Sequence, residues 1–160
     1  MVADAITRYI ASIQIDILTE IEVLLDNPVI YLVVLVGLLL LGEKRQMKRL
    51  KIAVAMGIAL FMALLVNVGM AVDRPCADID GALCPILFSF PSIHCTMAFI
   101  LMISFTNKKL FPAYMLFALF IAFSRLNLGV HVFRDVVGAL IIALLAYNVT
   151  YIAWKRWKCG

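Results

Sequence analysis

Ser124-Arg125-Leu126-Asn127-Leu128-Gly129-Val130-His131-Val132-Phe133-Arg134-Asp135 sets an arginine, a histidine and an aspartate between two long apolar runs. On insertion scales a charged side chain costs about 2.5 to 3.5 kcal/mol at the centre of a membrane helix, and less near the interface. Ionisable groups kept in such surroundings point to chemistry. Gly129 suits a tight turn between the runs. The stretch therefore reads as the connection between two membrane helices, with its polar residues gathered at one membrane face.

Outward from this connection, apolar stretches cover Pro28 to Gly42, Ile52 to Val72, Pro91 to Phe105, Leu110 to Leu128 and Val130 to Ala153. The chain has 160 residues, 65% of them hydrophobic and 15% charged, with a mean hydropathy of +1.06. That composition excludes a soluble domain of this size. The expected fold is all-α and integral to the membrane, five transmembrane helices in a bundle preceded by an amphipathic interfacial helix. The first and third spans hold about 15 residues, or about 22 Å, and must extend through their flanks or lie where the bilayer thins. Both open on a proline, Pro28 or Pro91, which loses nothing at a first helical position. Asn27 or Asp26 can cap the first of them.

Residues 1–26 have a different pattern. Ile6, Ile10, Ile13, Ile17, Ile21 and Leu24 recur at spacings of three and four, opposite a polar stripe of Asp4, Arg8, Ser12, Asp16 and Thr19. This predicts an amphipathic helix that either lies in the membrane interface or packs on the bundle or a second copy. It lacks the basic start, compact apolar centre and cleavage site of a secretory signal, so it is read as part of the mature protein. Residues 27–160 are then a single transmembrane domain.

Basic residues set the orientation. Lys44, Arg45, Lys48, Arg49 and Lys51 lie between the first two spans, Lys108 and Lys109 between the third and fourth, and Lys155, Arg156 and Lys158 after the fifth. With five spans all three clusters share one face, which the positive-inside rule makes cytoplasmic, C-terminus included. Trp154 and Trp157 suit an interfacial anchor there. The net charge of +4 reflects these loops and implies no nucleic-acid partner. Of the four cysteines, Cys76 and Cys84 share an extracytoplasmic loop. A disulfide between them and two reduced thiols are both compatible with that placement. No paired-cysteine metal spacing occurs, and no metal or other cofactor is expected.

Three polar segments reach the extracytoplasmic face in this topology: Asp73-Arg74-Pro75, Pro91-Ser92-Ile93-His94, and the run from Ser124 to Asp135. Ser92 and His94 open a helix whose first N–H groups are unpaired and whose dipole favours an anion, the outline of a phosphate site. Ser92 could donate from hydroxyl and backbone, and His94 could carry a proton for a leaving group. His131 and Asp135, four residues apart, share a helix face, so the carboxylate can hold one ring nitrogen and leave the other to attack or to act as a base. Arg74 and Arg125 offer planar forks that match phosphate oxygens. Taken singly, these groups have structural readings: a capping serine, a buried histidine, snorkelling arginines. Together they favour a phosphate site. Arg134 reads as a solvated or headgroup contact, and Asp73 as a cap or loop residue.

The assembled residues resemble the signature of the type 2 phosphatidic acid phosphatase superfamily, membrane lipid phosphatases that share their site with vanadium haloperoxidases. Its third part is a serine-arginine pair, five residues, a histidine, three residues and an aspartate, matched by Ser124, Arg125, His131 and Asp135. Its second, proline-serine-glycine-histidine, is matched by Pro91, Ser92 and His94, with Ile93 in place of the glycine. Its first ends in arginine-proline, matched by Arg74 and Pro75. That part begins with a lysine where this chain has Asn67, which leaves the phosphate cradle one positive charge short. The likeness covers residues 52–153. It implies that His131 attacks phosphorus to give a phosphohistidine, Asp135 orients it and His94 protonates the leaving oxygen. Arg74, Ser92, Ser124 and Arg125 would bind the phosphoryl oxygens, with Asn67 and Ile93 as possible contributors.

The expected function is a metal-independent lipid phosphatase acting at the extracytoplasmic face on a lipid phosphate or diphosphate drawn from the surrounding lipid. Polyprenyl diphosphate comes first, because the small core suits a substrate defined by phosphate and tail. Phosphatidylglycerophosphate and phosphatidate are alternatives. A non-catalytic membrane protein that binds lipid phosphates or assists assembly is a reading from a different class.

Overall fold

A computed structural model of the chain describes residues 4–13, 15–75 and 87–159. Cys76 and Cys84, and any disulfide between them, lie outside the described residues. The described elements are all helices: α1 (Ala5–Ala11), α2 (Asp16–Asp26), α3 (Pro28–Gly42), α4 (Gln46–Met70), α5 (Ile93–Ser104), α6 (Phe111–Asn127) and α7 (Phe133–Cys159).

The axis of the bundle is α5, where every residue from Cys95 to Leu101 is buried. Around it pack α4, α6 and α7, with α3 against its outer side. A helix that is apolar all round belongs in such an interior position. Small side chains bring the neighbours in. Ala55, Ala59 and Ala63 recur every fourth residue on α4, Ala139, Ala143 and Ala146 follow one face of α7, and all six are buried. Alanine rows of this kind let backbones approach closely where lipid is as apolar as the partner helix. The larger side chains face outward. Phe61, Leu65 and Val68 on α4, and Ile141, Leu145 and Val149 on α7, are exposed, as a lipid-facing surface requires.

All five predicted apolar segments are helical, but their lengths differ. α4 and α7 are long and apolar enough to cross a membrane, and α2 with α3 would make a third crossing if the pair, bent by 89°, were one broken span. α5, with 12 residues, and α6, with 17, are apolar but shorter. Length and composition thus give two to three crossings rather than five. Asn27, not Asp26, caps α3, its Oδ1 accepting from Val29 N at 3.0 Å and Ile30 N at 3.3 Å.

The amino-terminal helix predicted as one piece is two. Asn127 on α6 donates its side-chain amide to Ile10 O at 2.9 Å and Ile13 O at 2.6 Å, and the Ser12 hydroxyl donates to Tyr9 O at 2.7 Å. Carbonyls engaged from outside end α1 there. Both pieces lie against α6, but they bury Thr7 and Glu22 there and leave Ile6, Ile17, Ile21 and Leu24 of the apolar stripe exposed. Thr7 Oγ1 also accepts from Phe133 N at 3.0 Å, so α1 covers the first turn of α7. Both helices therefore contact the bundle while their apolar stripe faces outward.

The two ends of the bundle are chemically distinct. One gathers the basic segments: Lys108 Nζ lies 2.9 Å from Glu43 Oε2, and Lys51 Nζ stands 4.6 Å from the Tyr151 ring centroid. Lys48, Lys51 and Lys108 share a cavity of ≈ 210 Å³ there. The opposite end holds the C-termini of α4 and α6, the N-termini of α5 and α7, and the three polar segments singled out from the sequence.

Candidate active site

The chemistry begins in the turn between α6 and α7. Gly129 takes φ 67°, a conformation that glycine adopts without steric penalty, and His131 N then donates back to Arg125 O at 3.2 Å. This fold-back sets His131 against the first turn of α7, with its Nδ1 3.2 Å from Asp135 Oδ2. A carboxylate accepts the Nδ1 proton, so the lone pair of the neutral ring lies on Nε2. The same Oδ2 accepts from Val132 N at 3.0 Å and from the Ser89 hydroxyl, which fixes the orienting oxygen itself. His131 and Asp135 are both buried. Burial pulls the His131 imidazole below the ordinary histidine value; its hydrogen bond to Asp135 opposes that, and the charges of Arg74 and Arg125 reinforce it. The turn thus holds the His131 ring with Nδ1 tied to Asp135 and Nε2 on the opposite side.

Arg74 meets that second nitrogen. Its NH1 lies 3.2 Å from His131 Nε2 and donates to Val130 O at 3.2 Å, while its Nε donates to Leu87 O at 2.6 Å. Burial works against the charge on Arg74 and lowers its pKa, and the carboxylates of Asp26 and Asp135 act in the opposite sense. Arg125, one turn before the fold-back, is fully buried. Its NH2 donates to Ser124 Oγ at 3.0 Å and Glu22 O at 3.3 Å, and its NH1 pairs with Asp26 Oδ1. Helix α2 therefore reaches into the candidate site. Arg134 is half exposed, with its Nε 3.6 Å from Asp135 Oδ1.

At the start of α5, Ser92 is the N-cap, its Oγ accepting from Cys95 N at 3.4 Å. Its backbone N–H donates to Asp135 O at 3.3 Å, which corrects the expectation that both of its donors serve a phosphate. Tying α5 to α7, that bond leaves the Ser92 hydroxyl proton and the Ile93 N–H as the local donors to an anion. The His94 ring packs against Tyr31 with centroids 4.6 Å apart, and the Tyr31 hydroxyl donates to His94 O at 2.7 Å. His94 Nε2 is buried with no hydrogen-bond partner, in the field of Arg125, Asp26, His131 and Arg74.

Asn67 has a different role from the one considered for it. It is fully buried, and its Nδ2 donates to Phe88 O at 2.8 Å and Phe90 O at 3.2 Å. Both amide protons are committed to the chain, so Asn67 anchors the segment that carries Ser89 and leads into Pro91. Sequence reasoning missed Ser89, Asp26 and Tyr31. Ser89 had one signal, a lone hydroxyl in the apolar run Leu87-Phe88-Ser89-Phe90 directly before Pro91-Ser92. Asp26 had none beyond its candidacy as a cap.

Arg74, Ser89, Ser92, Ser124, Arg125, His131 and Asp135 are thus linked by direct contacts at one end of the bundle, with His94 beside them. No curated protein sequence matches the chain. Among solved structures it is similar to Aquifex aeolicus LpxE, with a TM-score of 0.73 and 20% identity over 91% of this chain and 92% of that one. It is also similar to a transmembrane PAP2 type phosphatidylglycerolphosphate phosphatase from Bacillus subtilis, with a TM-score of 0.71 and 19% identity over 95% of this chain and 84% of that one. The family model described as PAP2 superfamily matches residues 48–159, which take in the whole candidate site outside α2 and α3. This integral membrane chain belongs to the PAP2 superfamily of lipid phosphatases.

Proposed function

We propose that the protein hydrolyses a lipid phosphate or diphosphate at the extracytoplasmic membrane face, with His131 as nucleophile. The observation that carries this reading is the His131 ring, held through Nδ1 by Asp135 and turned through Nε2 toward Arg74, each at 3.2 Å. Nε2 attacks phosphorus and forms the N–P bond as the P–O bond to the lipid breaks. The leaving oxygen takes its proton from His94. Water then attacks the phosphohistidine, His94 accepts a proton from it, and orthophosphate departs as the N–P bond breaks. Arg74, Arg125, Ser124, Ser92 and the N–H of Ile93 hold the phosphoryl oxygens, so catalysis rests on positioning and charge stabilisation.

The five apolar helices are proposed to form the bundle in the membrane, with the short α5 and α6 supported by their neighbours. The assembly of the basic segments at the end opposite the site supports an extracytoplasmic mouth and a cytoplasmic C-terminus. Residues 27–160 act as the phosphatase domain, and α1 and α2 cover it. Polyprenyl diphosphate is the first substrate, since among the described residues only α1 and α2 are added to the bundle at the site end, and none of these forms a separate headgroup-binding domain. Phosphatidylglycerophosphate is second, favoured by the backbone likeness to the Bacillus subtilis phosphatase. The test is phosphate release from both lipids in detergent by wild type and His131→Ala. Loss in a variant that keeps its helical content and elution volume is expected, and full activity in that variant would remove His131 as nucleophile.

A further inference from the structure

The guanidinium that should hold a substrate oxygen already holds an anion. Arg125 NH1 pairs with Asp26 Oδ1, and the two partners are solvated very unequally: the arginine side chain is 1% exposed and the aspartate side chain 38%. Asp26 thus forms the outer wall of the cradle, between Arg125 and the surroundings. Its charge also acts on Arg74 and His94, so a carboxylate lies amid three of the groups assigned to phosphate binding and leaving-group protonation. The helix that carries it is not firmly satisfied. Glu22, one turn earlier on α2, is fully buried with neither carboxylate oxygen hydrogen-bonded. A buried acceptor without a donor costs free energy, more so when charged. The docked position of α2 is therefore held by the Asp26 pair and by the Arg125 bond to Glu22 O, while the Glu22 carboxylate works against it. α2 meets α3 at an 89° bend at Asn27-Pro28, the junction about which a displaced α2 would turn.

We propose that Asp26 is the resident anion of the phosphate cradle and a specificity-determining residue, exchanged for the phosphoryl group of a phosphomonoester. The proposal rests on the phosphatase reading and deepens it. A phosphomonoester near neutral pH carries about two negative charges and three acceptor oxygens. It can outcompete one carboxylate for two arginines. A phosphodiester lipid carries a single charge and offers Arg125 no more than Asp26 already does. In a membrane made largely of phosphodiesters, the carboxylate keeps the bulk lipid out of the cradle and yields to the monoester. A site with an intrinsic preference for anions is tuned in this way by the fraction of time it stands open, since apparent affinity falls with that fraction.

The experiment compares the detergent-solubilised full chain as wild type, Asp26→Asn and Asp26→Glu. Orthovanadate binding is measured by titration, and inhibition of phosphomonoester hydrolysis by phosphatidylglycerol is measured in mixed micelles. Asparagine removes the competing charge, so vanadate should bind roughly tenfold more tightly, and phosphatidylglycerol should become an inhibitor. Glutamate should behave as wild type. In wild type, amide exchange across α2 should rise when vanadate is added, a readout that depends on no variant. Unchanged or weaker vanadate binding by Asp26→Asn, or α2 exchange indifferent to vanadate, would overturn the exchange while leaving the phosphatase reading intact. A wild-type protein that neither binds vanadate nor releases phosphate from any lipid would overturn both.

Discussion

Asp135→Asn isolates the orientation of the nucleophile from everything else in the site. Three donors converge on Asp135 Oδ2, the ring N–H of His131, the backbone N–H of Val132 and the hydroxyl of Ser89. Asparagine keeps the shape, and its carbonyl oxygen can still receive Val132 and Ser89. The charge that fixes the proton on Nδ1 is gone. If the amide nitrogen turns to the ring it donates to Nδ1, and the proton moves to Nε2, the nitrogen that must attack. In hydrolases with a carboxylate-oriented histidine the same exchange lowers kcat by about 10⁴. Partial retention of the Ser89 and Val132 contacts sets the lower bound here at about 10³, so the expected loss is about 4 to 5.4 kcal/mol of transition-state stabilisation. Stability should fall less, by about 2 kcal/mol, as two charge-assisted hydrogen bonds become neutral ones. Single-turnover phosphate release gives the rate, and trapping the phosphoenzyme under alkaline conditions shows which step is lost. A kcat within tenfold of wild type, or an undiminished phosphoenzyme, would refute the role given to Asp135.

Three further outcomes are expected. Because burial pulls His131 below its ordinary 6.5, the neutral nucleophile persists to lower pH, and the acid limb of kcat/KM should fall below about pH 6.5; a limb at or above that value contradicts a neutral resting ring. The same depression means that the unfolded chain takes up this proton first, so the His131 contribution to stability is present above its unfolded pKa and declines as pH falls through it, measurable as Tm against pH. Gly138→Ala would put a Cβ 2.3 Å from Phe90 Cε2 and 2.5 Å from Cζ, and displacing that ring should cost about 1 to 3 kcal/mol of stability. Thermal unfolding of the purified variant reads this directly, and an unshifted Tm would show that Phe90 moves freely. Asn67→Lys, which restores the lysine of the family pattern, should lower activity because it frees the Phe88 and Phe90 carbonyls; a gain in phosphate release would show that the position faces phosphate.

The helices and the contact between His131 and Asp135 were legible because each depends on local information. Hydropathy marks an apolar helix wherever it lies, and the i, i+4 relation of His131 and Asp135 follows from helix geometry alone. Groups joined by long-range contacts were not legible. Asp26 meets Arg125 across 99 positions and Ser89 meets Asp135 across 46, and neither residue carries a periodic or spacing signal. The break between α1 and α2 escaped for a related reason, since it is made by Asn127, over a hundred residues away. Length and composition leave the five-span count unconfirmed, since α5 and α6 are apolar but shorter than a crossing helix.

The charge balance of the site connects Asn67 to Asp26. In the resting arrangement Arg74 and Arg125 contribute two positive charges, and Asp135 and Asp26 two negative ones. With His131 neutral these four charges balance, and Arg125, 1% exposed, is buried against the partly exposed Asp26. A lysine at position 67 would leave the closed state one positive charge in excess. Asn67, whose amide nitrogen is engaged by the Phe88 and Phe90 carbonyls, carries no charge and so avoids that excess. When a phosphomonoester of about two charges replaces Asp26, the balance moves to about one negative charge. The proton that His94 must carry to the leaving group restores it, and the dipole at the N-terminus of α5 acts in the same direction. Substrate binding and loading of the acid are then linked. The dianion that displaces Asp26 also favours the protonated His94 that the first step requires, so the departure from the family pattern at Asn67 is compatible with the same chemistry.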